Sequence, residues 1–301
     1  MKPVKTLGQL AEAIRSAGRR RRVAVVCPAD PHTEYVVRRA LHEGLADFLL
    51  IADEGRTSLA YDIATSSPGH ASVTVVGSAD EACTKGVGLV RGGEADVLMK
   101  GLVNTDNLLR AVLNKQTGLL PAGGVLSHLS VAELPHYKKL LLFTDVAVIP
   151  RPSLEQYRAL IGAALDVHRR LGGTGAHVAL IHCTEKVSEK FPHTLSYARL
   201  IEESRNGAFG DAVIDGPMDV KTACDAHSGE VKGISSPVAG DADILIFPNI
   251  ESGNVFYKTL TLFGEAVTAA MLTGTTAPVV VPSRADSGES KYYSLCLALN
   301  S

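Results

Sequence analysis

A hydroxyl and a guanidinium stand side by side at Ser283 and Arg284, inside the stretch Pro282-Ser-Arg-Ala-Asp-Ser-Gly-Glu-Ser290. Val279-Val280-Val281 just before them reads as a short buried strand that Pro282 closes. Downstream, Tyr292, Leu295, Cys296 and Leu299 recur at i, i+3, i+4 and i+7, which predicts a helix from near Asp286. The pair thus falls between the carboxyl end of a strand and the N-terminus of a helix. Unpartnered N–H groups and the helix dipole favour an anion there, and a planar guanidinium suits a phosphate or carboxylate. The same residues also fit a plain Ser/Arg loop whose arginine pairs with a surface carboxylate.

Other residues offer related chemistry. Lys100-Gly101 ends a strand-like run and is followed by Asn104, Asp106 and Arg110. Lys100 would project from the strand end, and Gly101 would let a backbone N–H approach a ligand. A loop charge and a helix-face charge are the plainer readings of Lys100 and Arg110. Ser127-His128 and Asp145 suggest a Ser/His/Asp constellation, but no serine sits in a GxSxG elbow, and a half-buried polar pair fits them as well. A second strand-loop-helix junction carries Asn249, Ser252, Asn254 and Lys258; Ser252 is expected to cap the helix. Neither GxGxxG nor GxxxxGK[ST] occurs.

The elements that must position these residues alternate along the chain. Val23-Val26, Phe48-Ile51, Val73-Val76 and Val97-Met99 are strand-like, separated by helical patterns, and Asn104 caps a helix reaching about Asn114 with Leu108, Leu109, Val112 and Leu113 on its buried face. This rhythm predicts a parallel sheet covered on both faces. After the Gly/Pro-rich break at 118–124 come two antiparallel or mixed segments, then Asp145 to Ser153 as a linker, a long helix over 154–171 and a second α/β series. The expected layout is two α/β domains facing a cleft.

Composition narrows the partners. The chain has 301 residues, a formal charge of −2 and 46 % hydrophobic content, which argues against general binding of nucleic acid or membrane surfaces. The one basic run, Arg19 to Arg22, reads as a solvated helix end. Five scattered cysteines suit reduced thiols, with Cys27 and Cys183 placed in apolar strand patterns, and the ten histidines form no metal-type grouping. No apolar run of membrane-spanning length and no signal-like N-terminus is present, so a cytoplasmic location is expected.

Taken together, the motifs resemble the phosphate acetyl/butyryltransferase family, and most of all its butyryltransferases. The resemblance spans nearly the whole chain. It rests on Asp96 to Arg110, Leu126-Ser-His-Leu-Ser-Val131, Val213-Ile-Asp-Gly-Pro217, Pro237 to Asn249, Gly253 to Thr261 and Ser283 to Ser287. It implies an α/β fold of two domains around a cleft, isocitrate/isopropylmalate dehydrogenase-like: residues 1–149 with 284–301, and residues 150–283 as the domain expected to dimerise. The implied reaction is acyl-CoA + phosphate ⇌ acyl phosphate + CoA with a butyryl or other short or branched acyl group. Coenzyme A and phosphate are then substrates, no cofactor is held permanently, and a homodimer or larger homo-oligomer is expected. The alternatives are acetyl preference and an NAD-dependent hydroxy-acid dehydrogenase of the same fold.

The resemblance also suggests roles. Arg284, with Lys100 and Arg110, would hold phosphate, while Ser283 would donate to the carbonyl oxygen as it becomes an oxyanion. Gly101, Asn104, Ser127, His128, Asp145, Asn249, Asn254, Lys258 and Asp286 complete the candidate substrate-binding set. Acetyl-specific relatives carry an aspartate base six positions after the arginine, where this chain has Ser290. Glu289 is then the candidate base, although Asp286-Ser287-Gly288-Glu289 also fits an N-cap with an acidic N3. The chain departs from the butyryl pattern at 148–152, where relatives place an asparagine near Ile149, and at His182 to Lys186 and Met218 to Lys221.

Overall fold

The computed structural model of the protein describes residues 3–283 and 286–301, and these form two compact units. One comprises Gly8–Leu126 and Ala269–Ser301; the other comprises Ser127–Thr268 with residues 3–7. The division falls at 126/127 and 268/269, where the sequence suggested 149/150 and 283/284. Strand pairing explains both shifts, as follows.

The Gly8–Leu126 unit runs α1 (Leu7–Ala17), β1 (Arg21–Val26), α2 (Pro31–His42), β2 (Ala46–Asp53), α3 (Ser58–Ser66), β3 (Ala71–Val76), α4 (Ala79–Arg91), β4 (Val97–Lys100) and α5 (Thr105–Val112). From the end of the chain it takes β10 (Val267–Thr273), β11 (Val279–Val280) and α11 (Gly288–Leu299). Its strands lie in the order β3-β2-β1-β4-β11-β10. All pairs are parallel except β10 with β11, and β11 pairs with β4 through Val280 opposite Met99, which keeps 269–283 here. Val23 to Val26 and Val97 to Lys100 are buried throughout, as expected for strands covered on both faces. Helix α4 packs against α5, while α2 packs against both α3 and α11.

Three of the four arginines at 19–22 hold side-chain bonds to other parts of this unit rather than forming a solvated helix end. Arg20 reaches the Ala46 carbonyl and Asp47, Arg21 the Ser301 carbonyl, and Arg22 the Gly93 carbonyl. The buried stripe of α5 is narrower than expected, because the helix stops at Val112 and Leu113 is 43 % exposed.

The Ser127–Thr268 unit contains β5 (Ser127–Glu133), β6 (Leu141–Thr144), α6 (Leu154–Arg170), β7 (His177–Ile181), α7 (His193–Arg205), β8 (Val213–Met218), α8 (Val220–Cys224), α9 (Ala226–Val231), β9 (Ile244–Ile246) and α10 (Ile250–Phe263). The strand order is β5-β6-β9-β7-β8, with β5 antiparallel to β6 and the rest parallel. Because β6 pairs with β9, Phe143 opposite Leu245, residues 127–149 belong to this unit. Phe143, Leu245, Phe247 and Tyr257 form its core, with the Phe256 ring edge-on to Phe143 at 5.2 Å. Ser153 and Gln156 close a reciprocal capping box that starts α6.

Candidate functional site

In the first unit, β1 leads through α2 to β2 on one side, whereas β4 lies on its other side. The chain thus changes winding direction between β1 and β4. Open α/β sheets bind ligands at the carboxyl edge of such a switch point. Lys100 is paired with Val26, so it sits level with the end of β1. A cavity of about 180 Å³ opens there, lined by Asp30, His32 and Thr33 after β1, by Lys100 to Val103 after β4, by Pro282 and Ser283 after β11, and by Lys291 from α11.

The cavity walls have defined causes. Lys100 is 4 % exposed and its Nζ donates to the Gly101 carbonyl at 3.3 Å. Gly101 does not offer its N–H to a ligand, as the sequence suggested; that N–H donates to the Val26 carbonyl at 2.8 Å. The glycine is needed because a Cβ would stand 2.4 Å from the Cys27 carbonyl oxygen. Cys27 itself takes a φ of +52°, and its carbonyl accepts the Leu102 N–H at 2.7 Å. Burial pushes the Cys27 thiol up to about 12, so it stays protonated at neutral pH.

Asp30 caps α2, accepting the Thr33 N–H at 3.0 Å and the Thr33 hydroxyl at 2.5 Å. The positive end of α2 is therefore already met by a carboxylate. At the other helix, Ser287 rather than Asp286 is the N-cap, accepting the Ser290 N–H at 3.1 Å. Asp286 instead accepts the Ser283 N–H at 2.7 Å. A cap at Ser287 makes Ser290, not Glu289, the third helical residue, so the acidic-N3 motif is absent. Glu289 is exposed in the first turn.

The structure brings Lys100, Gly101 and Ser283 to one cavity. Asn104 and Arg110 are exposed and lie outside its lining, and the Asn104 side chain makes no cap hydrogen bond to α5. Arg284 lies outside the described residues. Lys291 was missed by sequence reasoning. Its signal was position: Lys291, Leu295 and Ala298 share one face at i, i+4 and i+7, and all three are buried.

The remaining candidates belong to the second unit, where most of them hold backbone. Asp145 is 2 % exposed. One carboxylate oxygen accepts the N–H groups of Ala147 and Val148 at 2.8 and 2.9 Å, and the other accepts those of His128 and Ile149 at 3.3 Å. This carboxylate therefore organises a tight turn over 145–149, which is no linker and buries Val146 and Ile149. Its bond to the His128 backbone, not the ring, departs from triad geometry. Ser127 is buried in β5, and the His128 ring lies 3.5 Å from Ser130 Oγ.

Helix α10 starts against the same turn. Asn249, not Ser252, is the N-cap, accepting the Ser252 N–H at 2.8 Å. The Asn254 amide donates to the Val146 carbonyl at 3.0 Å, and a Cβ on Gly253 would stand 2.2 Å from the Asp145 carbonyl oxygen. Lys258 is exposed, its Nζ 4.6 Å from the Tyr257 ring centre.

A second, apolar cavity of about 570 Å³ opens at the ends of β7 and β9, walled by Ile181, Phe191, Phe247, Pro248, Val255 and Phe256. Two of its lining residues are held by buried tyrosines, the Tyr157 and Tyr197 hydroxyls donating to the Pro248 and Ile181 carbonyls at 3.1 Å each. Two of the segments that depart from the butyryl pattern line it, through His182 and Cys183 and through Asp219 and Val220. His182 Nδ1 lies 3.1 Å from His193 Nε2, and burial lowers both imidazoles, His193 further by the neighbouring His182, so the pair is neutral near pH 7. Cys183 is exposed beyond the end of β7 rather than buried in a strand.

Residues 69–299 match the family model described as phosphate acetyl/butaryl transferase. A phosphate butyryltransferase of Clostridium acetobutylicum is 37 % identical over 296 residues, covering 98 % of this chain and 97 % of its own. A branched-chain phosphotransacylase from Enterococcus faecalis V583 matches with a TM-score of 0.81 at 29 % identity, over 93 % of this chain and 98 % of its own. A 4-hydroxythreonine-4-phosphate dehydrogenase from Klebsiella pneumoniae shares the fold alone, with a TM-score of 0.51 at 13 % identity over 94 % of this chain and 100 % of its own.

Proposed function

The chain belongs to the phosphate acetyl/butaryl transferase family and is a phosphate acyltransferase, and we propose that it moves a butyryl or other short or branched acyl group between coenzyme A and phosphate. The observation that carries the site is the buried Lys100 beside Ser283 at the switch-point cavity. In this reading a phosphate oxygen attacks the thioester carbonyl, a tetrahedral oxyanion forms, and its collapse expels the CoA thiolate. Arg284 and Lys100 hold the phosphate and offset its charge. Ser283 donates to the developing oxyanion, a bond of a kind worth about 3–4 kcal/mol in the transition state. Coenzyme A and phosphate are bound and released as substrates, so the chemistry calls for no permanently held cofactor.

In the reverse direction the CoA thiol must lose a proton. Glu289→Gln separates the two roles open to that residue. A loss of about a hundredfold in kcat identifies a base, whereas a change confined to stability identifies a carboxylate complementing the α11 dipole.

The same reading makes the protein a cytoplasmic homodimer. Helix α10 supports the dimer by exposing Val255, Leu262 and Phe263 at 65, 73 and 78 %. Phe263→Glu should then yield a monomer in light scattering. Among the described residues no helix is long and apolar enough to cross a membrane.

The decisive assay incubates the protein with acetyl-, propionyl-, butyryl- or isobutyryl-CoA and phosphate and follows CoA release. Butyryl- or isobutyryl-CoA should show the highest kcat/KM. Absent or phosphate-independent release overturns the reading, and highest turnover of acetyl-CoA replaces the acyl assignment.

A further inference from the structure

Lysine is almost never buried without a partner, because stripping water from an ammonium is costly. Lys291 is 5 % exposed, and among the described residues its ammonium forms neither a hydrogen bond nor an ion pair. Nor is that ammonium sealed away: the only enclosed side-chain polar atoms without a partner, among the described residues, are the hydroxyls of Thr222 and Ser301. Lys291 lines the switch-point cavity. Asp30, the carboxylate on the same wall, is occupied by Thr33 and forms no ion pair with Lys291.

Two lysines, Lys100 at 4 % and Lys291 at 5 % exposure, therefore wall one cavity of about 180 Å³. Like charges in a confined space of low dielectric repel, and an anion between them turns both desolvation costs into attraction. The space lies below the roughly 300–1,000 Å³ typical of sites for larger organic ligands, so it suits a small oxyanion. Each ammonium brings three rotatable donors that can follow the oxygens of a tetrahedral ion.

We propose that Lys291 binds inorganic phosphate, gripping it together with Lys100 beside Ser283. The inference rests on the acyltransferase reading and deepens it by adding a second buried cation to the phosphate site.

The test follows melting temperature with rising inorganic phosphate against chloride at matched ionic strength, together with steady-state kinetics. Phosphate should raise the parent's melting temperature by about 3 °C or more. Lys291→Met should melt above the parent without phosphate, since an uncompensated buried charge is gone, and should lose the phosphate-dependent rise. Its KM for phosphate should increase about tenfold or more while that for butyryl-CoA changes less than about twofold. Lys291→Arg should recover part of the phosphate response, and Lys291→Gln supplies the same readouts if the methionine variant does not fold. A phosphate response in Lys291→Met equal to the parent's, no response in the parent, or a KM rising equally for both substrates overturns the proposal. Loss of the response in Lys291→Met from a parent that binds phosphate but turns over no acyl-CoA sinks the acyltransferase reading and leaves the Lys291 assignment standing.

Discussion

The Asp286 carboxylate accepts the backbone N–H of Ser283 at 2.7 Å, and the Asp286 N–H donates back to the Ser283 carbonyl at 3.2 Å. The two bonds tie Ser283 to Asp286 just ahead of α11, so the backbone carrying the Ser283 hydroxyl is set by a side chain three positions later. The oxygen that accepts this N–H is engaged with backbone, which in the proposed reading makes Asp286 a residue that positions Ser283.

Asp286→Ala removes the acceptor and leaves a half-buried N–H without its partner, a loss of about 1–3 kcal/mol in positioning. We expect kcat to fall roughly 10- to 100-fold with a small change in melting temperature. Asp286→Asn keeps a carbonyl oxygen at the same place and should retain most activity. An asparagine variant as impaired as the alanine one would show that the charge matters and the clasp does not.

Gly101 has no room for a side chain, since a Cβ would stand 2.4 Å from the Cys27 carbonyl oxygen and 2.7 Å from that of Val26. Both contacts are to backbone, so neither can swing away. Gly101→Ala should force β4 and the turn after β1 apart, costing about 3 kcal/mol of stability and displacing Lys100. Urea unfolding would show the first effect and a raised KM for phosphate the second. A neutral outcome on both would mean that this backbone approach is looser than its distances indicate.

Periodicity carried much of the fold. The strand and helix alternation, the buried stripe of Tyr292, Leu295, Cys296 and Leu299, and Lys100 at a strand end were all legible, because each depends on short-range spacing. What escaped depended on contacts far apart in sequence. The unit boundaries turned on β6 choosing β9 and β11 choosing β4 as neighbours, which no local pattern encodes. Gly101 reads as a ligand-approach glycine until Cys27, 74 positions earlier, is seen to lie against it. Lys291 reads as a polar break in a helix pattern, since spacing cannot say whether a lysine points to water or to a cavity. Asp145 reads as part of a linker or a triad, and only the turn it organises shows that its oxygens already hold backbone.

That turn yields a prediction about stability. The Asp145 carboxylate takes N–H groups from Ala147, Val148, Ile149 and His128 in a buried setting. Asp145→Ala would strand several donors at once and should cost about 3–5 kcal/mol. Asp145→Asn, which keeps one good acceptor, should lose less. Denaturant midpoints decide the order, and an alanine variant as stable as the parent would return Asp145 to consideration as a reacting group.

The pH dependence of the Ser127–Thr268 unit should be governed in acid by Asp243. Burial alone would raise this carboxyl, but the His168 ring nitrogen 3.8 Å away, the hydrogen bond from the His177 N–H, and the Lys139 ammonium with its charge overcome it and hold the group at about 2, below its ordinary value. The Lys139 Nζ stands 2.6 Å from one oxygen and the His177 N–H 2.8 Å from the other. A carboxyl depressed by folding stabilises the native state only while ionised. The contribution is therefore complete above the unfolded value near 4 and is lost as pH falls toward 2, amounting to roughly 2–3 kcal/mol by linkage. Asp243→Asn should be less stable than the parent at neutral pH, and the gap should close between about pH 4 and 2. Urea unfolding across that interval measures it; a gap that stays constant would mean the ion pair with Lys139 contributes nothing and the asparagine merely packs worse.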